Sequence, residues 1–161
     1  MTPYAHTTFV IERTLPGAPD NAFRFFSDPA LKRRWTDCHP DWQPLEVRMD
    51  FRSGGEEVSC LRAEDGRAHE FRARYLDIAP ARHIIYAFTM RTDGALVSSS
   101  QATIEFTPAP SGTRMLYTEQ AVFLREADIA PRRGGTGEGF DRLILEIEKG
   151  AAAIQRSRQS S

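Results

Sequence analysis

Alternation with a period of two is the feature that most constrains this chain. Successive side chains of a β-strand point to opposite faces, so each strand sorts its residues into two sets. In "EFRARYLDI" the apolar set is Phe71, Ala73 and Tyr75, with Arg72 and Arg74 opposite. In "RHIIYAFTM" it is Ile84, Tyr86, Phe88 and Met90. In "SSSQATIEF" it is Ala102, Ile104 and Phe106, which puts Ser98 and Ser100 on the same face further out. In "TRMLYTEQAVF" it is Met115, Tyr117, Ala121 and Phe123, with Glu119 in register among them. One apolar face per strand predicts a sheet covered on one side only. The cover is legible as well: Phe140, Leu143, Ile144, Ile147, Ala151 and Ile154 follow the i, i+3, i+4, i+7 spacing of an amphipathic helix.

The remaining sequence supplies the connections. "HTTFVIERTL" is rich in β-branched residues and reads as a first strand. After it, Asp20 is placed to cap a short helix carrying Phe23 and Phe26 on one face, and Pro29 after Asp28 restarts a second one ending near Trp35. From about Trp42 to Leu124 turn signals ("RSGGE", "AEDGR", "IAPAR", "RTDGA", "TPAPSGT") separate about six strands at the close spacing of an antiparallel meander. Glu138 and Arg142 stand i, i+4 on the outer side of the last helix, and the tail "RSRQSS" is expected to fray. The expectation is one α+β domain over residues 1–161, with its core at about 7–154.

Charge and motifs narrow the function. A net charge of −1 offers nucleic acid or anionic lipid no overall attraction. No window approaches the ~20 apolar residues of a membrane span, and "MTPYAHTTFVIERT" lacks the basic start and apolar run of a signal peptide. Cys38 and Cys60 match no zinc or CxxC spacing, so free thiols in a reducing cytoplasm are expected. His6, His39, His69 and His83 are scattered, and no metal or other cofactor is indicated. "TDCHPDW" reads as a surface loop, with Cys38 and His39 directed to opposite sides. Arginines outnumber lysines 19 to 2, a bias that codon composition explains without function.

One strand, two short helices, about six antiparallel strands and a long terminal helix is the order of the helix-grip fold. In that order, "FRFFSDPALKRRWT", "MDFRSGGEE", "GTRMLYTEQAVF" and "GEGFDRLILEIE" resemble the START-like (SRPBCC) superfamily, most closely the branch related to the activator of Hsp90 ATPase homologue 1-like proteins. The resemblance spans about Thr7 to Ile154. It implies a curved sheet gripping the last helix, with a cavity between them that takes a small hydrophobic molecule. The eukaryotic activator couples such a domain to a second, chaperone-binding one, for which this length leaves no room.

On that fold the inward faces put Phe71, Tyr75, Tyr86, Phe88, Met90, Met115, Tyr117 and Phe123 around the cavity, with Trp35 and Phe140 at its entrances. An aromatic concavity with a few polar groups suits a small apolar ligand; the same residues could equally fill the interior solidly. Glu119 is the candidate acid/base, because burial of a carboxylate without partners raises its pKa; a hydrogen-bonded structural carboxylate is the alternative. Gly134, Gly135, Gly137 and Gly139 precede the periodic helix and are expected in a flexible link beside the entrance, either gating access with Phe140 as a plug or serving a plain turn. Three functions follow in order: binding of a small hydrophobic or aromatic molecule, a cofactor-independent cyclase or hydratase using Glu119, or a protein-interaction module that meets a chaperone or a second copy through the outer sheet face.

Overall fold

The computed structural model describes residues 3–160. Seven strands form one antiparallel sheet: β1 (Ala5–Leu15), β2 (Gln43–Met49), β3 (Glu56–Arg62), β4 (Ala68–Ala79), β5 (His83–Thr92), β6 (Ala95–Ala109) and β7 (Gly112–Phe123). Their spatial order is β1-β7-β6-β5-β4-β3-β2, a meander whose first strand returns to pair with the last. At the β5–β6 hairpin Asp93 and Gly94 both hold positive φ, 50° and 79°, the signature of a tight two-residue turn whose twist matches its strands. Ala73, Tyr75, Ile84, Phe88, Ala102, Ile104, Phe106, Met115, Tyr117 and Phe123 are buried, as the alternation requires. The outer face carries charge instead: Arg72 bridges Glu56 at 2.8 Å, and Arg114 bridges Glu12 at 2.7 Å.

Two short helices, α1 (Pro19–Ser27) and α2 (Pro29–Thr36), follow β1 as expected. Asp28 caps α2, its carboxylate accepting from the backbone N–H of Ala30 at 2.9 Å and of Leu31 at 3.4 Å. Asp20 does not cap α1: it lies inside the first turn, and Ala18 holds the cap position without a side-chain bond. Phe23, Phe25 and Phe26 are buried under the sheet, and Trp35 Nε1 donates to the Phe25 carbonyl at 2.9 Å. That bond fixes the angle between the two helices.

The third helix, α3 (Ile129–Gln159), is longer at its start than the sequence suggests. The glycines expected in a loop are all helical, because α3 begins five residues before Gly134. Pro131 falls in the first turn, where its missing N–H costs no helical bond. The pairing of Glu138 with Arg142 is not formed: Arg142 Nε donates instead to the Trp35 carbonyl at 3.0 Å, tying α3 to the end of α2. Phe140, Leu143 and Ile147 are buried, but Ala151 and Ile154 are exposed, since the helix outruns the sheet. The expected frayed tail is helical through Gln159, and Ser161 lies outside the described residues. Among the described residues no helix is long and apolar enough to cross a membrane.

Candidate functional site

The helical layer leaves part of the sheet bare. Helix α1 packs on β6 and β7, and α3 reaches β1, while the β2–β5 end of the curved sheet extends beyond them. A cavity of about 700 Å³ lies there, open to solvent. Its floor is Phe71 of β4, Tyr86, Phe88 and Met90 of β5, and Tyr117 of β7. Leu61 and Val58 of β3 and Val47 of β2 extend it to the sheet edge. Its roof is the start of α3: Arg132, Gly135, Thr136, Gly139 and Phe140 stand at i, i+3, i+4, i+7 and i+8, one helical face. Two of those five carry no side chain. A Cβ on Gly135 would have no atom within 4 Å, so glycine there is a choice of empty space.

Seven of the expected lining residues face this cavity: Trp35, Phe71, Tyr86, Phe88, Met90, Tyr117 and Phe140. Trp35 and Phe140 are wall, not entrance. Both are buried, their rings 6.0 Å apart, and Phe140 also packs edge-on to Tyr117 at 5.3 Å. A ring held on two sides by aromatics inside a regular helix is no movable plug. The expected link, gate or plain turn, is instead the first turns of the helix that roofs the cavity. Met115 and Phe123 are also corrected: both are fully buried core residues away from the cavity wall. Met115 pairs with Phe106 and Arg13 across β6 and β1, under the helical layer. Phe123 lies beneath the guanidinium of Arg132, 5.0 Å from its ring centre. Tyr75 stands behind the cavity floor, its hydroxyl donating to Glu57 Oε1 at 2.5 Å.

Glu119 is buried as expected, but it does not lack partners. Oε1 accepts from the Tyr117 hydroxyl at 2.6 Å, and Oε2 from Ser100 Oγ at 2.8 Å and Arg132 Nη1 at 3.0 Å. Arg132 Nη2 also donates to Ser98 Oγ at 2.5 Å. The serines that alternation turned inward on β6 are therefore the polar cradle of Glu119 on β7. Glu119 meets the cavity only by way of Tyr117 and Arg132, which line it. Tyr117 gives its single phenol proton to the carboxylate, and Tyr86 lies beside it on the cavity floor.

Burial raises the pKa of all three phenols. For Tyr75 the charge of Glu57 adds to burial; for Tyr86 the charges of Glu119 and Glu57 do; for Tyr117 Tyr86 and Glu119 do. Desolvation disfavours tyrosinate, and a neighbouring carboxylate disfavours it further.

Several wall residues escaped the sequence reading. Lys32 Nζ pairs with Glu57 Oε1 at 2.5 Å inside the cavity. Arg33 and Arg142 line its mouth, as do His39 and Trp42. Trp42 is stacked between His39 and His69, with ring centres 3.9 and 5.1 Å away, so the loop after α2 holds a three-ring stack at the opening. The motif "TDCHPDW" was legible as a surface loop, but a stack between residues 27 positions apart has no local signal. Among the described residues no cluster of His, Cys, Asp or Glu could hold a metal ion.

Comparison with known proteins agrees with this architecture. A family model described as Activator of Hsp90 ATPase homolog 1-like protein matches residues 17–148. An uncharacterised protein from Rhizobium leguminosarum is 42% identical, with 91% of this chain and 97% of that chain covered and a TM-score of 0.85. The Mll3558 protein from Rhizobium loti is 37% identical over 90% of this chain and 99% of its own, with a TM-score of 0.82. The AHSA1-like protein from Aeromonas hydrophila shares the fold at 20% identity, covering 90% and 94%, with a TM-score of 0.67. No match was found among curated proteins.

Proposed function

The chain belongs to the family of Activator of Hsp90 ATPase homolog 1-like proteins, and from that premise we propose that it binds a small hydrophobic or aromatic molecule between its sheet and its C-terminal helix. The observation that carries this reading is the open cavity of about 700 Å³ with an aromatic floor, set beside a buried hydrophobic core. Such space is within the range of small-molecule sites, and the few polar groups at its wall are what orients a ligand. A two-ring aromatic burying about 300 Å² gains roughly 7 kcal/mol at ~25 cal/mol per Å². Association costs of several kcal/mol reduce that, leaving millimolar or weaker binding before any polar contact. The Tyr86 phenol on the floor, able to donate or accept, favours a ligand with one polar group above it. A cytoplasmic setting is part of the proposal, since Cys38 and Cys60 are both free thiols.

A thermal-shift screen against lipids, polyphenols and polyketide-like compounds tests the reading. A ligand at a hundred times its Kd stabilises the native state by about 2.7 kcal/mol, which raises Tm by roughly 5–10 °C in a chain of this size. Gly135→Phe puts a ring into the open roof position and should abolish the shift while the protein stays folded. Shifts that persist undiminished in Gly135→Phe, or a screen with no shift at all, would overturn the proposal.

A further inference from the structure

The cavity carries a charge bias that the whole chain does not. The formal net charge of the chain is −1, yet its wall holds five cations, Lys32, Arg33, Arg48, Arg132 and Arg142, against two carboxylates, Asp37 and Glu57. Three of the five cations have ionic partners. Lys32 is paired with Glu57 at 2.5 Å, and Arg132 with Glu119 at 3.0 Å. Arg48 is held by Glu46 and Glu56 on the outer strands. The other two are not neutralised. Arg142 donates to the Trp35 carbonyl, a neutral acceptor, and among the described residues neither Arg142 nor Arg33 lies within ion-pair distance of a carboxylate. Both stand at the α2–α3 side of the mouth, beside the aromatic wall formed by Trp35 and Phe140. Asp37, at the end of α2, is the one carboxylate left to oppose them there.

Resting on the proposal that this cavity takes an apolar molecule, we propose that its ligand is an organic acid. The hydrophobic body lies over Phe71, Phe88 and Phe140, and the carboxylate meets the guanidinium groups of Arg33 and Arg142 at the mouth. The arrangement suits the chemistry. A planar guanidinium pairs with a carboxylate through two parallel N–H donors. At the rim the anion keeps part of its hydration, so it avoids the desolvation penalty of a fully buried charge. The low-dielectric aromatic wall behind it lets the two cations act more strongly than they would in bulk water. A neutral ligand of the same shape gains the body contacts and only a neutral hydrogen bond at the rim.

A matched pair of probes separates the two contributions: 2-naphthoate and 2-naphthamide, titrated calorimetrically at pH 7.5 in low salt. Charge-assisted hydrogen bonds are roughly twice as strong as neutral ones and two cations act together, so the acid should bind about tenfold more tightly than the amide. Arg33 is exposed and its side chain makes no fold-supporting bond, so Arg33→Gln should cut that ratio by several-fold, weakening the acid far more than the amide, and leave Tm unchanged. Arg33→Gln combined with Arg142→Gln should bring the two probes close to parity. Raising NaCl to 0.5 M should likewise narrow the gap, since exposed charges are screened. Equal affinity of acid and amide for the unaltered protein overturns the assignment, as does a ratio that Arg33→Gln leaves untouched. If the amide binds and the acid does not, the anion assignment fails alone and the apolar-cavity reading stands. Silence of both probes, together with a screen that finds no ligand, would remove both.

Discussion

Replacing Glu119 by glutamine tests how the polar cluster behind the cavity is held. The change keeps the side chain's size but removes its charge from a site with no solvent exposure. Arg132 then loses the carboxylate 3.0 Å away, with its own side chain only 12% exposed. Two unit charges about 4 Å apart interact by about 4 kcal/mol at an effective dielectric of 20. Solvent reaching Arg132 through the cavity screens part of this, and the cation keeps Ser98 and the rings of Phe88 and Phe123. A cost of about 2–3 kcal/mol follows, near the lower end for breaking a buried pair by removing one partner. The amide also cannot accept at both ends. Its carbonyl stays with Ser100 and Arg132, and its NH₂ faces Tyr117, whose hydroxyl loses its acceptor. Urea unfolding at pH 7 should show a lower midpoint at constant m-value, and Tm should fall by roughly 5–10 °C. In a double-mutant cycle with Arg132→Met the coupling should be about 2 kcal/mol. Coupling below about 0.5 kcal/mol would refute the argument that this ion pair holds the cluster.

Two further outcomes follow from the structure. Tyr75, Tyr86 and Tyr117 have pKa values raised by burial and by neighbouring carboxylates, so the stability tied to their neutral form is fully present below the ordinary tyrosine pKa of about 10 and is lost as pH rises above it. Absorbance at ~295 nm, the tyrosinate band set by phenol ionisation, should therefore rise for these three of the four tyrosines only together with the loss of tertiary circular dichroism; a smooth titration of all four near the ordinary value in folded protein would contradict their burial. Gly134→Ala adds a Cβ where no atom lies within 4 Å and should stabilise α3 by about 0.5–1 kcal/mol, whereas Gly112→Ala, at φ +143° with a Cβ 2.2 Å from the Leu15 carbonyl oxygen, should cost more than about 2 kcal/mol; equal midpoints in denaturant would contradict both.

Most of the sheet was legible because it is covered on one side. Each strand had to keep one apolar face, so the parity of Phe71, Phe88, Ile104 and Tyr117 could be read without knowing any partner strand. Parity could not separate wall from core. Met115 and Phe123 have the same inward sense as Phe71 and Met90, yet the first two lie in the packed core and the last two face the cavity. What distinguishes them is the extent of the helical layer, and that depends on contacts between segments far apart in sequence. Polar partners show the same division. Ser98, Ser100 and Glu119 were each turned inward by alternation, but their meeting across strands had no local signal, and their cation, Arg132, stood in a stretch that proline and glycine made look like a loop.

The glycines account for that misreading, and they connect the helix to the cavity. A helix interior loses roughly 1 kcal/mol per glycine relative to alanine, so four of them near the start of α3 weaken it unless packing compensates. Gly139 lies on the face directed at Trp35, where a Cβ would sit 3.9 Å from the indole ring and 3.6 Å from Arg142 Nη2. A larger side chain there would push into the junction that Arg142 forms with the Trp35 carbonyl. Gly135, one turn earlier on the same face, has open space instead. Fixing the α2–α3 junction is thus one reason for glycine, and keeping the roof bare is another. Helix propensity was lowered at both sites, which is why the periodic signal faded where the cavity begins. A stretch that looked built for movement is better understood as a helical surface with its side chains removed.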